Sequence, residues 1–253
     1  MWGPLPAMTS RDRVVVVGGG LVGLFTAYYL LEGGVEVTIV DYDPAGVKAS
    51  LWNAGFIVPS FSASPRLSLY LVFRALLARG PIAVSLSRLF SNPRWFLEAF
   101  RARGLQSYTA ELLKLAGIES LRLYRSFLSS EGVDVEAIEG IVAAFTSWDD
   151  AVRFHKSVGG KLLDEKSLWE LGYRGLGGGV IVEGELSVNP ERLYRVLLES
   201  VKRRGAQLLE AQALGIKPLE GGGWRILTST EGLEAENVVI AAGSKSRDVC
   251  RSV

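Results

Sequence analysis

Three glycines near the N-terminus, Gly18, Gly20 and Gly23, have the spacing of a phosphate-binding turn. They stand between the apolar segments VVVV and LFTAYYLL. In that context the first glycine permits a tight turn, the second lets the backbone approach a diphosphate, and the third lets a helix pack closely on a strand. N–H groups at the start of the helix then face the phosphates, aided by the helix dipole. The spacing therefore predicts a dinucleotide site.

A carboxylate follows where a dinucleotide would place its adenosine ribose. Asp41 stands 23 residues after Gly18, at the end of the next apolar segment. We expect it to accept both ribose hydroxyls and, through its charge, to repel a 2′-phosphate. The alternative is a glycine-rich turn in an ordinary α/β sheet, which leaves Asp41 unexplained. The candidate cofactor contacts here are Gly18, Gly19, Gly20, Leu21, Val22, Gly23, Asp41 and Tyr42.

Periodicity and chain breakers predict the elements that position these residues. A strand over 14–17, a helix from about Gly20 to Glu32 and a strand over Val35–Val40 surround the turn. The run from Val14 to Leu31 has no charge and is long enough to suggest a membrane span. Three consecutive glycines disfavour a helix there, and the β-branched residues before them suit a buried parallel strand. We therefore prefer the strand–turn–helix interpretation.

The rest of the chain predicts a long helical region and then a return to an α/β pattern. Asn189 and Pro190 are a typical N-cap and first helical residue. Glycine-containing turns indicate an antiparallel meander after that helix. The predicted elements are a helical stretch over Arg66–Ser130, strands near Gly140–Thr146 and Gly179–Val182, a helix over Asn189–Arg204, strands over Gln207–Ala211, Ala213–Leu219, Trp224–Ser229 and Leu233–Ala235, and a buried strand over Asn237–Ala242.

Composition limits the kinds of partner and site. The chain is 48% hydrophobic and 22% charged, which is typical of a globular protein. A net charge of +1 gives no case for nucleic acid as a partner. The only cysteine, Cys250, excludes an internal disulfide and fits a reducing cytoplasm. Because there is no cysteine cluster, we predict no metal site.

The order of the predicted elements favours FAD over NAD as the dinucleotide. Both cofactors use this glycine motif, so the motif alone does not separate them. A nicotinamide dehydrogenase normally continues at once into further alternating strands and helices. Here about 125 residues, from Ala63 to about Ser187, intervene before the α/β pattern resumes.

Four segments together resemble the FAD-dependent D-amino-acid oxidase superfamily. Within it the chain is most similar to D-amino-acid dehydrogenases, and then to glycine oxidase and sarcosine oxidase. The segments span nearly the whole chain. They are Val14–Asp41, the loop KASLWNAGFIVPS with its S-x-x-N-A-G pattern, the block from Gly177 to Glu210, and VVIAAGSKS near the end.

The resemblance implies an α/β fold (α+β overall) with a Rossmann-like FAD-binding domain and a small antiparallel meander. It implies a discontinuous FAD-binding domain at residues 8–62 and 188–253, and an inserted, mostly helical substrate or cap domain at residues 63–187. The S-x-x-N-A-G loop would contact the flavin or its diphosphate, and a strand near Ala213 would offer its backbone to adenine. The further cofactor contacts implied in this way are Ala49, Ser50, Asn53, Ala54, Gly55, Ala213, Ala242 and Gly243.

The resemblance also implies a reaction, the oxidation of a C–N bond in an amino acid or secondary amine. A hydride would pass from the substrate's α-carbon to flavin N5, and the imine would hydrolyse to a 2-oxo acid. Members of the family are longer than this chain. The arginine that binds the substrate carboxylate lies mainly in the part of their sequence that follows the A-A-G strand. We therefore expect a missing C-terminal segment or a complementary protein chain. A non-catalytic FAD-binding subunit of a larger complex is the alternative.

Two further features have both functional and ordinary interpretations. The single histidine, His155, lies in a charged stretch and is expected to be a solvated surface residue rather than a base. The stretch Arg66–Arg103 has seven arginines and one acid among apolar residues, which is compatible with peripheral contact to an anionic membrane. The preferred interpretation is a helical face packed on its own domain or on a missing partner, with the arginines in solvent. The expected location is cytoplasmic, with peripheral contact to the inner membrane face as the alternative.

Overall fold

The computed structural model describes residues 12–44, 46, 48–59, 91, 93–94, 97–98 and 106–251, and it divides into two compact units. The first unit contains residues 1–56, 128–137 and 188–253, and the second contains residues 57–127 and 138–187. The predicted domain boundaries at 62/63 and 187/188 stay a prediction. The units change over at Phe56/Ile57 and Ser187/Val188, and residues 128–137 belong to the first unit.

Helices and strands are described in both units. The helices are α1 (Leu21–Glu32), α2 (Gln106–Glu131), α3 (Trp148–Val158), α4 (Glu165–Glu170), α5 (Pro190–Arg203) and α6 (Ser246–Cys250). The strands are β1 (Arg13–Val17), β2 (Glu36–Asp41), β3 (Phe56–Ile57), β4 (Ile138–Phe145), β5 (Lys161–Asp164), β6 (Gly178–Ser187), β7 (Gln207–Glu210), β8 (Ala213–Pro218), β9 (Trp224–Thr228), β10 (Gly232–Ala235) and β11 (Asn237–Ile240).

A parallel four-stranded sheet forms the centre of the first unit, in the order β11-β1-β2-β7. The valines of β1 are at most 3% exposed, as expected for a β-branched strand covered on both faces. The Rossmann-like arrangement predicted from the sequence is thereby confirmed. One predicted detail is wrong. The strand expected to be buried over Asn237–Ala242 ends at Ile240 and is only half-buried, because β11 lies at the edge of the described sheet.

Helices α1 and α5 pack against each other in this unit. The predicted cap of α5 is confirmed, since the Asn189 side chain accepts the N–H groups of Glu191 and Arg192, and Pro190 is the first helical residue. The buried residues of α5 recur at helical spacing and form one mainly apolar face. They are Leu193, Tyr194, Leu197, Ser200 and Val201.

The predicted meander is also confirmed. Strands β8, β9 and β10 form an antiparallel sheet in the order β10-β9-β8. Its buried residues Ile216, Ile226 and Ala235 join Val15 and Val40 of the parallel sheet in one core cluster. The meander therefore packs on the sheet that presents the glycine turn.

The second unit contains longer and additional elements compared with those predicted from the sequence. The strand predicted near Gly179–Val182 is the ten-residue strand β6, and it pairs antiparallel with both β4 and β5. Helix α3, which was not predicted, contains the charged stretch around His155. Its residue Ala151 is fully buried. His155 on that helix is half-buried rather than solvated, and its Nδ1 atom is buried without a hydrogen-bond partner among the described residues.

Among the described residues, no helix combines the length and the apolarity that crossing a bilayer requires. The segment Arg66–Arg103 lies almost wholly outside the described residues, so the peripheral-contact hypothesis stays a prediction. Of the long helical stretch predicted before Ser130, residues Gln106–Glu131 are described as helix α2.

A buried carboxylate links the end of α2 to α5 in the first unit. Glu131, whose side chain is 3% exposed, accepts from Arg203 at 2.6 Å and from Arg204 at 2.8 Å. The guanidinium of Arg204 also lies 4.4 Å from the centre of the Tyr28 ring on α1 and donates to the Tyr28 hydroxyl at 3.1 Å. One acid therefore ties three helices together.

We predict that Glu131→Gln lowers the free energy of unfolding by about 1–3 kcal/mol, because it leaves two arginines without their shared carboxylate. Urea unfolding measures the change. The control is Glu119→Gln on the same helix, which removes an exposed pair with Arg122 and should leave the midpoint unchanged. Equal effects of the two substitutions would contradict this account.

Candidate cofactor-binding site

The glycine turn connects β1 to α1 with almost no free volume. Gly18 has φ of +109°, and a Cβ there would lie 2.5 Å from the carbonyl oxygen of Ala241. A Cβ on Gly23 would lie 1.9 Å from the carbonyl oxygen of Gly18. The first and third glycines of the motif are therefore required by backbone conformation and by close packing of α1 on the turn.

The start of α1 presents backbone donors. Gly20 is the N-cap and has no side chain to cap the helix. The N–H of Leu21 donates to Ser50 Oγ at 3.2 Å, and the N–H groups of Gly20 and Val22 find no acceptor in the described part of the chain. Unpaired donors at a helix N-terminus favour an anion such as a diphosphate.

The glycine turn and the end of β2 lie side by side and together form the corner of the candidate site. Asp41 is the last residue of β2. Its side chain is 7% exposed, and its Oδ2 atom accepts the N–H of Gly19 at 2.6 Å. Its Oδ1 atom accepts the N–H of Asp43 at 2.9 Å and an N–H of the Lys48 ammonium group. The carboxylate is thus fixed by three donors from three places in the chain.

The segment 43–55 runs beside this corner and is held at several points. The buried Tyr194 on α5 donates its hydroxyl to the carbonyl oxygen of Pro44 at 3.0 Å. Burial, together with the charges of Asp41 and Asp43, raises the pKa of Tyr194 to about 12, so its hydroxyl stays a donor at neutral pH. Farther along, the carbonyl oxygen of Gly55 accepts the N–H of Val188 at 3.0 Å.

All the predicted contacts lie in the first unit, and several of them lie at this corner. Ala242 lies against Gly18, and the N–H of Ala211, just before β8 begins at Ala213, donates to the carbonyl oxygen of Asp41 at 2.9 Å. Asn53 shapes its own loop, accepting the N–H of Gly55 and donating to the carbonyl oxygen of Ser50, each at 2.6 Å. The predicted contacts that are exposed are Val22, Tyr42, Ala49, Asn53, Ala54 and Gly243. All the predicted cofactor contacts stay predictions.

Two expectations about Asp41 change. Because both carboxylate oxygens already accept protein donors, fewer acceptor positions remain for ribose hydroxyls than the sequence led us to expect. The argument that Asp41 would repel a 2′-phosphate also weakens, since Lys48 offsets the charge. Sequence reasoning missed Lys48 as a site residue. The available signal was a single cation in a loop of small and apolar residues.

The chain matches the family model described as "FAD dependent oxidoreductase" over residues 13–253. It belongs to that family. FAD is the family's cofactor, and the membership confirms the resemblance found in the sequence. The chain is also 28% identical over 180 residues to a D-amino acid dehydrogenase from Mesorhizobium japonicum, an alignment that covers 58% of this chain and 43% of that relative.

Solved structures agree on the fold. The chain superposes on glycine oxidase from Geobacillus kaustophilus with a TM-score of 0.60 at 21% identity, covering 94% of this chain and 58% of that one. It superposes on L-α-glycerophosphate oxidase from Mycoplasma pneumoniae with FAD bound, with a TM-score of 0.62 at 14% identity, covering 95% and 57%. The chain therefore spans about half the length of the proteins it matches.

The residues at this corner fit the adenosine diphosphate part of FAD. The turn forms a cradle that side chains on Gly18 or Gly23 would fill, and backbone donors at α1 face it. Asp41 stands at the end of the neighbouring strand, where a ribose would follow the phosphates. Leu21, Val22 and Ser50 would lie next to the diphosphate.

We predict that Gly23→Ala destabilises the protein, although alanine is favoured over glycine inside a helix by about 1 kcal/mol. The added Cβ would overlap the carbonyl oxygen of Gly18. Thermal unfolding measures the effect. Gly221→Ala is the control, because a Cβ there meets open space. A Gly23→Ala protein as stable as the control would show that the turn does not need this close approach.

Proposed function

We propose that the protein is an FAD-dependent oxidoreductase that oxidises the C–N bond of an amino acid or secondary amine, in the manner of a D-amino-acid dehydrogenase. The observation that supports it most is the glycine turn with Asp41 at the neighbouring strand end, in a chain of this family. The fold alone does not choose the substrate, since a glycerophosphate oxidase shares it. The sequence relative named D-amino acid dehydrogenase favours an amine.

FAD would supply the acceptor for the two electrons and the hydrogen that leave the substrate's α-carbon. The substrate would then be an imine, which water converts to a 2-oxo acid and ammonia, or to a 2-oxo acid and a primary amine where the substrate is a secondary amine. Residues of this chain would hold the cofactor at its diphosphate and ribose, through the amides after Val17 and through Asp41. The reaction demands no acid or base from these residues, so their contribution is positioning.

We further propose that the complete catalytic unit includes more polypeptide than this chain, either as further sequence or as a complementary chain. The support is the coverage, which is about half of the length of the proteins it matches. The same coverage favours a second candidate, a non-catalytic FAD-binding subunit of a larger dehydrogenase complex. A small amino acid or amine is the proposed substrate, and the cytoplasm is the proposed location.

We predict that the purified protein carries FAD or takes it up. In the complete catalytic unit, with the further sequence or the complementary chain present, we expect the oxidised flavin absorbance to bleach when D-amino acids or glycine are added without oxygen. Anaerobic absorbance spectroscopy measures this. Glycerol 3-phosphate is the control substrate and should leave the spectrum unchanged. Persistent colour of the complete unit with every amine would reject the proposed amine oxidation and favour the non-catalytic subunit, while a protein that never binds FAD would contradict both.

A further inference from the structure

We propose that Lys48 is a positioning residue of the cofactor site, which acts by fixing the Asp41 carboxylate and by neutralising its charge beside the diphosphate. This inference rests on the proposed dinucleotide site and deepens it. Lys48 lies outside the glycine motif. It immediately precedes the short 3₁₀ helix Ala49–Trp52 in the segment beside the turn.

The Lys48 ammonium group is buried with its partners. Lys48 is 7% exposed and Asp41 is 8% exposed. The ammonium group donates to Asp41 Oδ1 and to the carbonyl oxygen of Asp43, and it lies 5.3 Å from the centre of the Tyr42 ring. One side chain therefore connects the end of β2 to the segment that follows it.

Burying a lysine in this way does not serve stability well. Removing an ammonium group and a carboxylate from water costs several kcal/mol for each ion, and their attraction roughly repays that cost. A flexible lysine in a surface loop would normally keep its charge in water. The buried ion pair is better explained by its effect on the orientation and the charge of Asp41.

The pair gives Asp41 one orientation. Oδ1 accepts both the Asp43 N–H and Lys48, so Oδ2 is turned toward the glycine turn, where it accepts the Gly19 N–H. A carboxylate oxygen has about two acceptor positions, so Oδ2 keeps one for a ribose hydroxyl. Without Lys48, Oδ1 would lose its strongest partner and the carboxylate could rotate.

The pair also changes the electrostatics of the corner. An uncompensated carboxylate next to the glycine turn would repel the negative diphosphate of FAD across a poorly screened interior. With Lys48 paired to it, Asp41 offers a hydrogen-bond acceptor for the ribose with little net charge. Orientation and neutralisation both act through Asp41, so the effect of Lys48 should depend on Asp41.

The test is a double-mutant cycle on FAD affinity, with Lys48→Met, Asp41→Asn and the double variant. Titration of the apoprotein with FAD, followed by flavin fluorescence, gives each dissociation constant. We expect Lys48→Met to raise it roughly tenfold in the wild-type background and by less than about threefold in the Asp41→Asn background. Lys202→Met, which removes an exposed pair with Glu199, is the control and should bind FAD like wild type.

A second readout reports on the ribose contact alone. ADP and 2′,3′-dideoxy-ADP compete with FAD for the corner, and the ratio of their affinities measures the use of the ribose hydroxyls. We expect wild type to prefer ADP and Lys48→Met to lose most of that preference. A general loss of structure would weaken both nucleotides and leave the ratio unchanged.

The outcomes separate the possibilities. An unchanged FAD affinity in Lys48→Met, or an equal loss in both backgrounds, would overturn the proposal, the latter by indicating direct contact with the cofactor. Lys48→Met alone could fail to fold, because it leaves Asp41 buried and unpaired. In that case the comparison of Asp41→Asn with the neutral double variant tests the proposal, and we expect these two proteins to bind FAD with equal affinity. A wild-type protein that does not bind FAD would instead contradict the proposed function.

Discussion

The close approach of α1 to the turn after β1 is the constraint on which the rest of the first unit depends. No side chain fits at Gly23, so the helix N-terminus sits directly on the carbonyl oxygen of Gly18. The parallel pairing of β1 with β2 and β11 then places Asp41 and Ala241 on either side of the same turn. Backbone packing, rather than any reactive side chain, shapes the turn at which we propose that a diphosphate binds.

The polar contacts around Asp41 extend this arrangement into the neighbouring segments. One carboxylate receives donors from Gly19 in the turn, from Asp43 just after β2 and from Lys48 in the loop. Ser50 accepts an N–H from the start of α1, and Tyr194 on α5 donates its hydroxyl to Pro44. Both bonds hold the segment 43–55. The candidate cofactor site is therefore preformed by the protein's own hydrogen bonds, which would lower the ordering cost of binding a dinucleotide.

Much of the first unit could be predicted because its elements follow from patterns over a few neighbouring residues. Contacts between residues far apart in the sequence leave no such pattern. The β1–α1–β2 segment and the capped helix α5 have periodicity, glycines and cap residues that act over a few positions. Helix α3 was missed because its charged residues hid the amphipathic pattern that buries Ala151. The Lys48–Asp41 pair was missed because only the folded loop brings a lysine back to a strand end seven residues earlier. The exposure of β11 likewise depends on its place at a sheet edge, which no local pattern encodes.

The central claim is that the amides at the start of α1 bind a diphosphate. The most direct measurement is the change in backbone amide NMR signals when ADP is added to the apoprotein, with adenosine as the comparison. We expect ADP, far more than adenosine, to shift the signals of Gly20 and Val22, and to leave Gly221 in the meander unchanged. If the Gly20 and Val22 signals stay in place while ADP binds elsewhere, the account of this site is contradicted.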